Sequence, residues 1–334
     1  MKFAATFTPG VGELVLRQLK KYPLAELRVT RQEDGLVIGE TVFSPQQLQD
    51  VRYWHNVLVV MAEAETTASL ETLAQQLTPA LLKRTLALYF PHAQTLQLRV
   101  IEGSQPASLS PVTQRRVEAV LSDQSLVLTS HHPDVELWLL RRTSGLGVIG
   151  LRLPRQRFKR QERAAGELRP ELAHVLALAA GVTSKDIVLD SFAGHGAIPR
   201  ELIAGFSPRQ VIAIEQDPRL AGKLRSLAKE KKSLTVLAGD ALAMDLADQS
   251  VTRIVTDPPW GDYAVTSLPL PQFYARMLTE FLRVLRPGGV AVILAGTKEV
   301  VETAAEKSAF EVVKVYEVLV SGKKAAIVKL RKPS

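Results

Sequence analysis

The sequence predicts an α/β protein: a seven-stranded doubly wound sheet in its second half, preceded by two smaller α+β units. Three observations predict this. From Leu168 onward, apolar runs of strand length alternate with amphipathic runs of helix length. Four successive strand-like runs there end in an acid, at the edge where open α/β sheets build their ligand crevices. Residues 1–153 instead mix short strands, tight turns and two-faced helices in the order of compact α+β units.

Taken in order, an extended segment from Phe3 to Phe7 leads through Thr8-Pro9-Gly10 into a helix from Gly12 to Lys21, with Leu14, Val15, Leu16 and Leu19 on its apolar face. Strands near Leu27–Arg31 and Leu36–Gly39 flank the turn Glu33-Asp34-Gly35. Ser44-Pro45 reads as an N-cap and first helical residue, opening a helix to about Trp54, and Val57–Ala62 closes the unit. The order β-α-β-β-α-β over residues 1–62 is ferredoxin-like. Residues 63–153 form a second unit: helices Leu70–Leu77 and Ala80–Tyr89, strand Thr95–Glu102, helix Val112–Ser122, and strands Asp134–Arg142 and Gly147–Leu153. In the first of these last two strands Val135, Leu137 and Leu139 are expected to face inward, with Glu136, Trp138 and Leu140 on the other side. Neither unit shows a nucleophile–base pair or a ligand cluster, so both read as binding modules.

Residues 154–167 form a basic linker, with Arg155, Arg157, Lys159, Arg160 and Arg163 around Phe158. Such a run is usually a solvated face, but at a domain junction it also suits phosphate contacts. Residues 168–334 make the doubly wound domain. A helix from Pro170 stops at Gly181, and strands run from Ile187, Val211, Leu234 and Val251. Helix Phe273–Leu285 is expected to stop at Arg286-Pro287-Gly288-Gly289 before strand Val290–Leu294. Helix Lys298–Ala309 then leads to a hairpin of Val312–Val320 and Ala325–Leu330.

Composition narrows the chemistry. The 334 residues contain no cysteine, which excludes disulfides, cysteine-ligated zinc, iron–sulfur clusters and thiol catalysis, and no histidine spacing resembles a metal site. A net charge of +8 favours a polyanionic partner. No apolar run approaches the ~18 residues that span a membrane, and the N-terminus lacks a signal-like apolar stretch, so a cytoplasmic protein is expected.

The acids that end the four strands are Asp190, Glu215, Asp240 and Asp257. Gly194 and Gly196 after the first of them allow close backbone approach to a ligand, and Glu215, about twenty residues on, stands where an acid grips ribose hydroxyls. Asp240 is placed to accept from an adenine amine. The implied ligand contains adenosine. Pro199 stands where a dinucleotide fingerprint has its third glycine, and no second phosphate site is apparent. A carboxylate-lined crevice better suits S-adenosylmethionine, which has no phosphate and carries cationic sulfonium and ammonium groups. The fourth acid opens Asp257-Pro258-Pro259-Trp260, a rigid tip with a carboxylate, free carbonyls and a flat aromatic. It reads either as a stiff turn with a core indole or as a clamp for a planar, amino-bearing base.

Together, Asp190-x-Phe192-x-Gly194-x-Gly196, Glu215, Asp240, Asp257-Pro258-Pro259-Trp260 and Arg286-Pro287-Gly288-Gly289 resemble the successive motifs of class I S-adenosylmethionine-dependent amino-methyltransferases with a Rossmann-fold domain. The upstream half, with His132-Pro133-Asp134 before an alternating strand, resembles the ferredoxin-like and THUMP domains of RNA methyltransferases, most of all the TrmN-like tRNA guanine 2-amino methyltransferases. The resemblance covers nearly the whole chain; Ser191 and His195 stand where the family often has proline and a small residue. It implies a cofactor site of Asp190, Phe192, Gly194, Gly196, Glu215, Gln216, Asp240, Ala241 and Asp257, and catalysis by Asp257, Pro258, Pro259 and Trp260. The amine is held by the Asp257 carboxylate and the Pro258 carbonyl, Trp260 stacks on a flipped base, and tRNA is bound by the THUMP-like half and the linker. A metal-free monomer is expected. Methylation of ribosomal RNA guanine, a DNA adenine methyltransferase and an RNA-binding homologue with impaired catalysis stand as alternatives.

Overall fold

The computed structural model describes residues 1–122, 124, 126–154, 164, 166–261 and 268–334. Its contacts divide into two units, residues 1–7 with 16–161, and residues 8–15 with 162–334. The first half of the chain runs β1 (Lys2–Thr6), α1 (Gly12–Leu19), β2 (Leu27–Glu33), β3 (Leu36–Thr41), α2 (Pro45–Gln49), β4 (Asn56–Ala64), α3 (Leu70–Ala74), α4 (Pro79–Tyr89), β5 (Thr95–Glu102), β6 (Gln105–Pro106), α5 (Pro111–Ser122), β7 (Val127–Leu128), β8 (Val135–Arg141) and β9 (Gly147–Arg152). All nine strands join one sheet in the order β2-β3-β1-β4-β9-β8-β5-β6, with β7 also on β5. The ferredoxin-like strands and those of the following segment are therefore stitched together, through Leu58↔Arg152 to Ala64↔Gly147 in the β4–β9 pair.

Apolar residues decide both faces of this sheet. Leu73, Leu82, Val117 and Leu121 from α3, α4 and α5 pack with Leu96, Leu137 and Leu139 of the strands. The opposite face is also buried: Leu140 joins Ala4, Ile38, Leu58 and Val148, with Trp138 packed alongside. Leu140 lies on the other side from Val135, Leu137 and Leu139, as expected, but that side is not a solvent face: the sheet carries apolar side chains on two faces and Leu140 is 2 % exposed. Helix α2 also differs. Ser44 and Gln47 form the expected capping box, but the helix ends at Gln49 and not near Trp54. Tyr53 and Trp54 are drawn into the core, where Trp54 packs against Phe7, and the His55 N–H pairs with Thr6 O at 2.6 Å to begin the next strand.

The second half runs α6 (Pro170–Ala180), β10 (Ile187–Asp190), α7 (Ala197–Gly205), β11 (Gln210–Glu215), α8 (Pro218–Glu230), β12 (Leu234–Ala238), β13 (Val251–Thr256), α9 (Leu270–Val284), β14 (Leu285–Ala295), α10 (Lys298–Glu306), β15 (Glu311–Val320) and β16 (Lys323–Arg331). Its seven strands lie in the order β12-β11-β10-β13-β14-β16-β15. The first five are parallel, and β16 is antiparallel to both β14 and β15. This is the Rossmann-like doubly wound sheet with a C-terminal antiparallel hairpin that the sequence predicts. Arg286 to Gly289 do not separate helix from strand as expected. β14 starts at Leu285, immediately after α9, and a register shift against β13 accommodates them, with Gly288 at φ 69°. Phe273, Met277 and Phe281 of α9 pack with Leu189, Ile254 and Ala291 of the sheet. The order reverses at β10, which lies between β11 and β13, and in sheets of this kind ligands bind at that point.

Candidate active site

Sheet register brings the predicted acids to one edge. Asp190 ends β10 and Glu215 ends β11, paired with Ala213 and Ala238 on their neighbours; Asp240 follows β12 by two residues and Asp257 immediately follows β13. Their environments differ sharply. Asp190 is 1 % exposed; Oδ1 accepts from Thr256 Oγ1 at 2.8 Å and from the Phe192 N–H at 3.3 Å, and Oδ2 is buried with no hydrogen-bond partner among the described residues. Burial pushes its carboxyl up to about 7, against those two hydrogen bonds, with Asp257 and Glu215 adding to the rise. An isolated carboxylate there is expensive, and a buried acceptor with no partner among the described residues is suited to a cationic or donor group.

Glu215 serves the glycine loop. Its Oε2 accepts from the Gly194 N–H at 2.7 Å and its Oε1 from the Asp217 N–H at 2.8 Å, which leaves other lone pairs on both oxygens. Gly194 and Gly196 have φ of 51° and 85°, the left-handed region that only glycine enters freely. Gly196 caps α7, and a Cβ there would stand 2.5 Å from Leu224 Cδ2. The two residues that depart from the family pattern are absorbed locally. Ser191 is buried and donates to Thr256 Oγ1 at 3.4 Å, and the His195 carbonyl accepts from Arg200 Nη1 at 2.6 Å. Arg200 also pairs with Glu167, so one guanidinium ties the loop to the segment that enters the domain. Phe192 packs its ring 5.7 Å from that of Phe273. Asp240 is exposed and accepts from the Leu242 N–H at 2.9 Å, Gln216 is exposed, and Ala241 is buried.

At the neighbouring strand end, Asp257 is partly buried, and desolvation pushes its carboxyl up to about 7 in spite of a hydrogen bond from Trp260. That bond runs from Trp260 Nε1 to Asp257 Oδ1 at 3.0 Å across the two prolines. The Tyr274 hydroxyl, on α9, donates to the Pro259 carbonyl at 3.4 Å, and burial first, then Asp257, keeps that phenol protonated.

A family model for the RMKL-like methyltransferase domain (UPF0020) matches residues 157–326, half of the chain. The chain belongs to this methyltransferase family. Among curated relatives, it is 27% identical over 304 residues to a tRNA (guanine(6)-N2)-methyltransferase of Thermus thermophilus, a match spanning 88% of this chain and 89% of the relative. It is 31% identical over 184 residues to the Bos taurus tRNA (guanine(6)-N(2))-methyltransferase THUMP3, covering 50% of this chain and 36% of that one. Among solved structures, TrmN from Thermus thermophilus superposes with a TM-score of 0.79 at 24% identity, over 99% of both chains, and so shares the fold.

In this methyltransferase the predicted residues Asp190, Phe192, Gly194, Gly196, Glu215, Gln216, Asp240, Ala241 and Asp257 to Trp260 all stand at or just beyond the carboxyl ends of four adjacent parallel strands. The basic residues Arg155, Arg157, Lys159, Arg160 and Arg163 lie outside the described residues. Sequence reasoning missed Thr256, Tyr274, Arg200 and Gly296. Thr256 directly precedes Asp257 and ends a buried strand, which was a usable signal for a hydroxyl facing Asp190. Gly296 carried none beyond its place at the end of the fifth strand. Among the described residues no group of three or more histidine, aspartate or glutamate side chains is arranged to hold a metal ion, and no helix is long and apolar enough to cross a membrane.

Proposed function

We propose that the protein methylates the exocyclic 2-amino group of a guanosine in tRNA, using S-adenosylmethionine, and that the guanosine is at position 6. The observation that carries the reading is the Asp257-Pro258-Pro259-Trp260 turn beside the buried, half-unpaired carboxyl of Asp190 at the switch point of the sheet. The substrate comes from the Thermus thermophilus relative, which aligns along 88% of the chain and is named for guanine 6 of tRNA. The residues fit the cofactor: Asp190 Oδ2 offers an acceptor for a cationic ammonium, Glu215 has spare lone pairs for ribose hydroxyls, and Asp240 is exposed beside them. When bound, S-adenosylmethionine supplies a methyl carbon that bonds to the amine nitrogen as its carbon–sulfur bond breaks and the electron pair stays on sulfur.

The protein's own work is positioning. An aromatic amine is a weak nucleophile because its lone pair is delocalised into the ring. Asp257 and the Pro258 carbonyl accept from its two N–H groups and turn that lone pair outward, and Trp260 stacks on the base, which leaves its helix to enter the crevice. Asp257 is also suited to take the proton that the methylated nitrogen releases, since burial brings its carboxyl close to neutrality. We further propose residues 1–62 as a ferredoxin-like module, 63–153 as a THUMP RNA-binding module and the basic residues of 154–167 as phosphate contacts, ahead of the catalytic domain at 168–334.

Nucleoside mass spectrometry and mapping of unmodified tRNA treated with the protein and cofactor tests this. N2-methylguanosine at position 6 is expected. Methylation only at another position refutes the position, and label only in DNA or ribosomal RNA refutes the substrate. Asp257→Ala is expected to abolish transfer while cofactor affinity, measured by calorimetry, stays within a few-fold; retained transfer removes Asp257 from its role.

A further inference from the structure

Trp260 does something in this structure that stacking alone does not require. Its indole N–H donates to Asp257 Oδ1 at 3.0 Å, closing a side-chain bridge over Pro258 and Pro259. Among the described residues this is the hydrogen bond the Asp257 carboxyl receives. A carboxylate turns easily about its last torsion, whose profile is broad and two-fold. A donor on Oδ1 fixes that torsion and, with it, the direction in which Oδ2 is presented. Phenylalanine would offer a base the same kind of flat face but has no N–H to give.

The indole is itself held by an absence. Gly296 immediately follows β14, the strand next to β13, and a Cβ built on it would fall 3.0–3.1 Å from Trp260 Cβ, Cε3 and Cδ2. Gly296 is not among the glycines with positive φ, so its backbone does not need glycine; a Cβ there would instead press on Trp260, which would have to give by a few tenths of an ångström. Tyr274, 1 % exposed, fixes the other side of the turn through the Pro259 carbonyl.

We propose that Trp260 and Gly296 are positioning residues for methyl transfer: the indole N–H locks the Asp257 carboxylate in one orientation, with one oxygen free for the substrate amine, and the bare Gly296 backbone seats the indole where it can do so. This rests on the methyltransferase reading above. It adds two things to the stacking role, a hydrogen-bonding task for the aromatic of the turn and a site for Gly296, which lies outside the turn. Because the N–H bonds the charged form of the carboxylate, removing it also raises the pH at which Asp257 ionises.

The test combines kinetics with a readout that needs no turnover. In Trp260→Phe, the KM for tRNA is expected to stay within about 3-fold, kcat to fall at least about 10-fold, and the rising limb of the pH–rate profile to move to higher pH. Gly296→Ala, which changes neither Asp257 nor Trp260, is expected to shift kcat and the pH limb in the same directions, with melting temperature and cofactor affinity reporting that the fold is kept. In the 15N-labelled wild type, the Trp260 indole N–H resonance, assigned by its loss in Trp260→Phe, is expected to titrate with Asp257 and to become pH-independent in Asp257→Asn. A Trp260→Phe enzyme that keeps its kcat and pH profile, or that loses only KM, overturns the proposal, as does an indole resonance that ignores Asp257. A wild-type protein that transfers no methyl group overturns the underlying reading instead, and the resonance still decides whether the lock exists.

Discussion

Asp190, which we propose as an acceptor for the cofactor, is a buried acid that folding tolerates. Its carboxyl is raised by burial to about 7 from an unfolded value near 3.8, so the folded state holds a proton that the unfolded state has released between those two pH values. The stability this group contributes is therefore complete below about pH 4 and is lost as pH rises through about 7. Asparagine keeps an oxygen for the Thr256 hydroxyl and the Phe192 N–H but cannot ionise. Asp190→Asn is accordingly expected to bind S-adenosylmethionine at least about 10-fold more weakly, since a neutral amide replaces the acceptor for a cationic group. It is also expected to gain stability relative to wild type by on the order of 2 kcal/mol between pH 5 and pH 8. Paired denaturation curves at the two pH values check this; a wild-type-to-variant difference independent of pH would show that Asp190 does not titrate there. That these acids gather at one edge of the sheet could be read from the sequence because each follows an apolar run. That Asp190 is the one left half-unpaired could not, since its neighbour Thr256 lies 66 residues away and reaches it only through the β10–β13 pairing.

Elements were legible where polar punctuation is strong. β12 and β13 have the expected ends, because Gly239-Asp240 and Asp257-Pro258 stop the apolar runs, and α8 starts at Asp217-Pro218, an N-cap acid followed by proline, where the Asp217 carboxylate accepts from the Arg219 N–H at 2.8 Å. α2 was over-extended because Val51, Tyr53 and Trp54 look like one more helical turn, while tertiary packing uses both aromatics elsewhere. The hold of Trp260 on Asp257 was equally hidden: the tetrapeptide is visible in the sequence, but its seat at Gly296 exists only once β14 lies beside β13. Two glycines bordering or within helices carry an element-scale prediction of opposite sign. Gly196 caps α7 at φ 85° and has Leu224 where a Cβ would go, so Gly196→Ala is expected to cost about 1–2 kcal/mol from the left-handed backbone alone. A loss of cofactor affinity should accompany it as the loop shifts. Gly222, inside α8, has no positive φ and nothing within 4 Å of its Cβ position, so Gly222→Ala is expected to stabilise by about 0.5–1 kcal/mol and leave the site unchanged. Thermal melts with and without cofactor separate the two.

Across the whole molecule, charge is divided against itself. The chain carries +8, yet the carboxyl edge at the sheet switch point carries Asp190, Glu215, Asp240 and Asp257, an arrangement that favours a cationic ligand and disfavours nucleic acid phosphates. The polyanion must then be gripped away from those acids, with only the target base presented to them. The run Arg155, Arg157, Lys159, Arg160 and Arg163 is the densest source of positive charge in the sequence, and it lies just ahead of Leu168, where the alternation of strand-like and helix-like runs begins. Each phosphate contact contributes about 0.7–0.9 to the slope of log affinity against log salt, through counterion release. Replacing all five with glutamine is expected to weaken tRNA binding and flatten that slope by up to about 3.5–4.5 if each touches one phosphate, while calorimetric affinity for S-adenosylmethionine does not move. Salt titrations of tRNA binding by wild type and variant measure both quantities. An unchanged slope would mean that the run is a solvated face, and that the grip on the RNA backbone belongs to the sheet unit upstream.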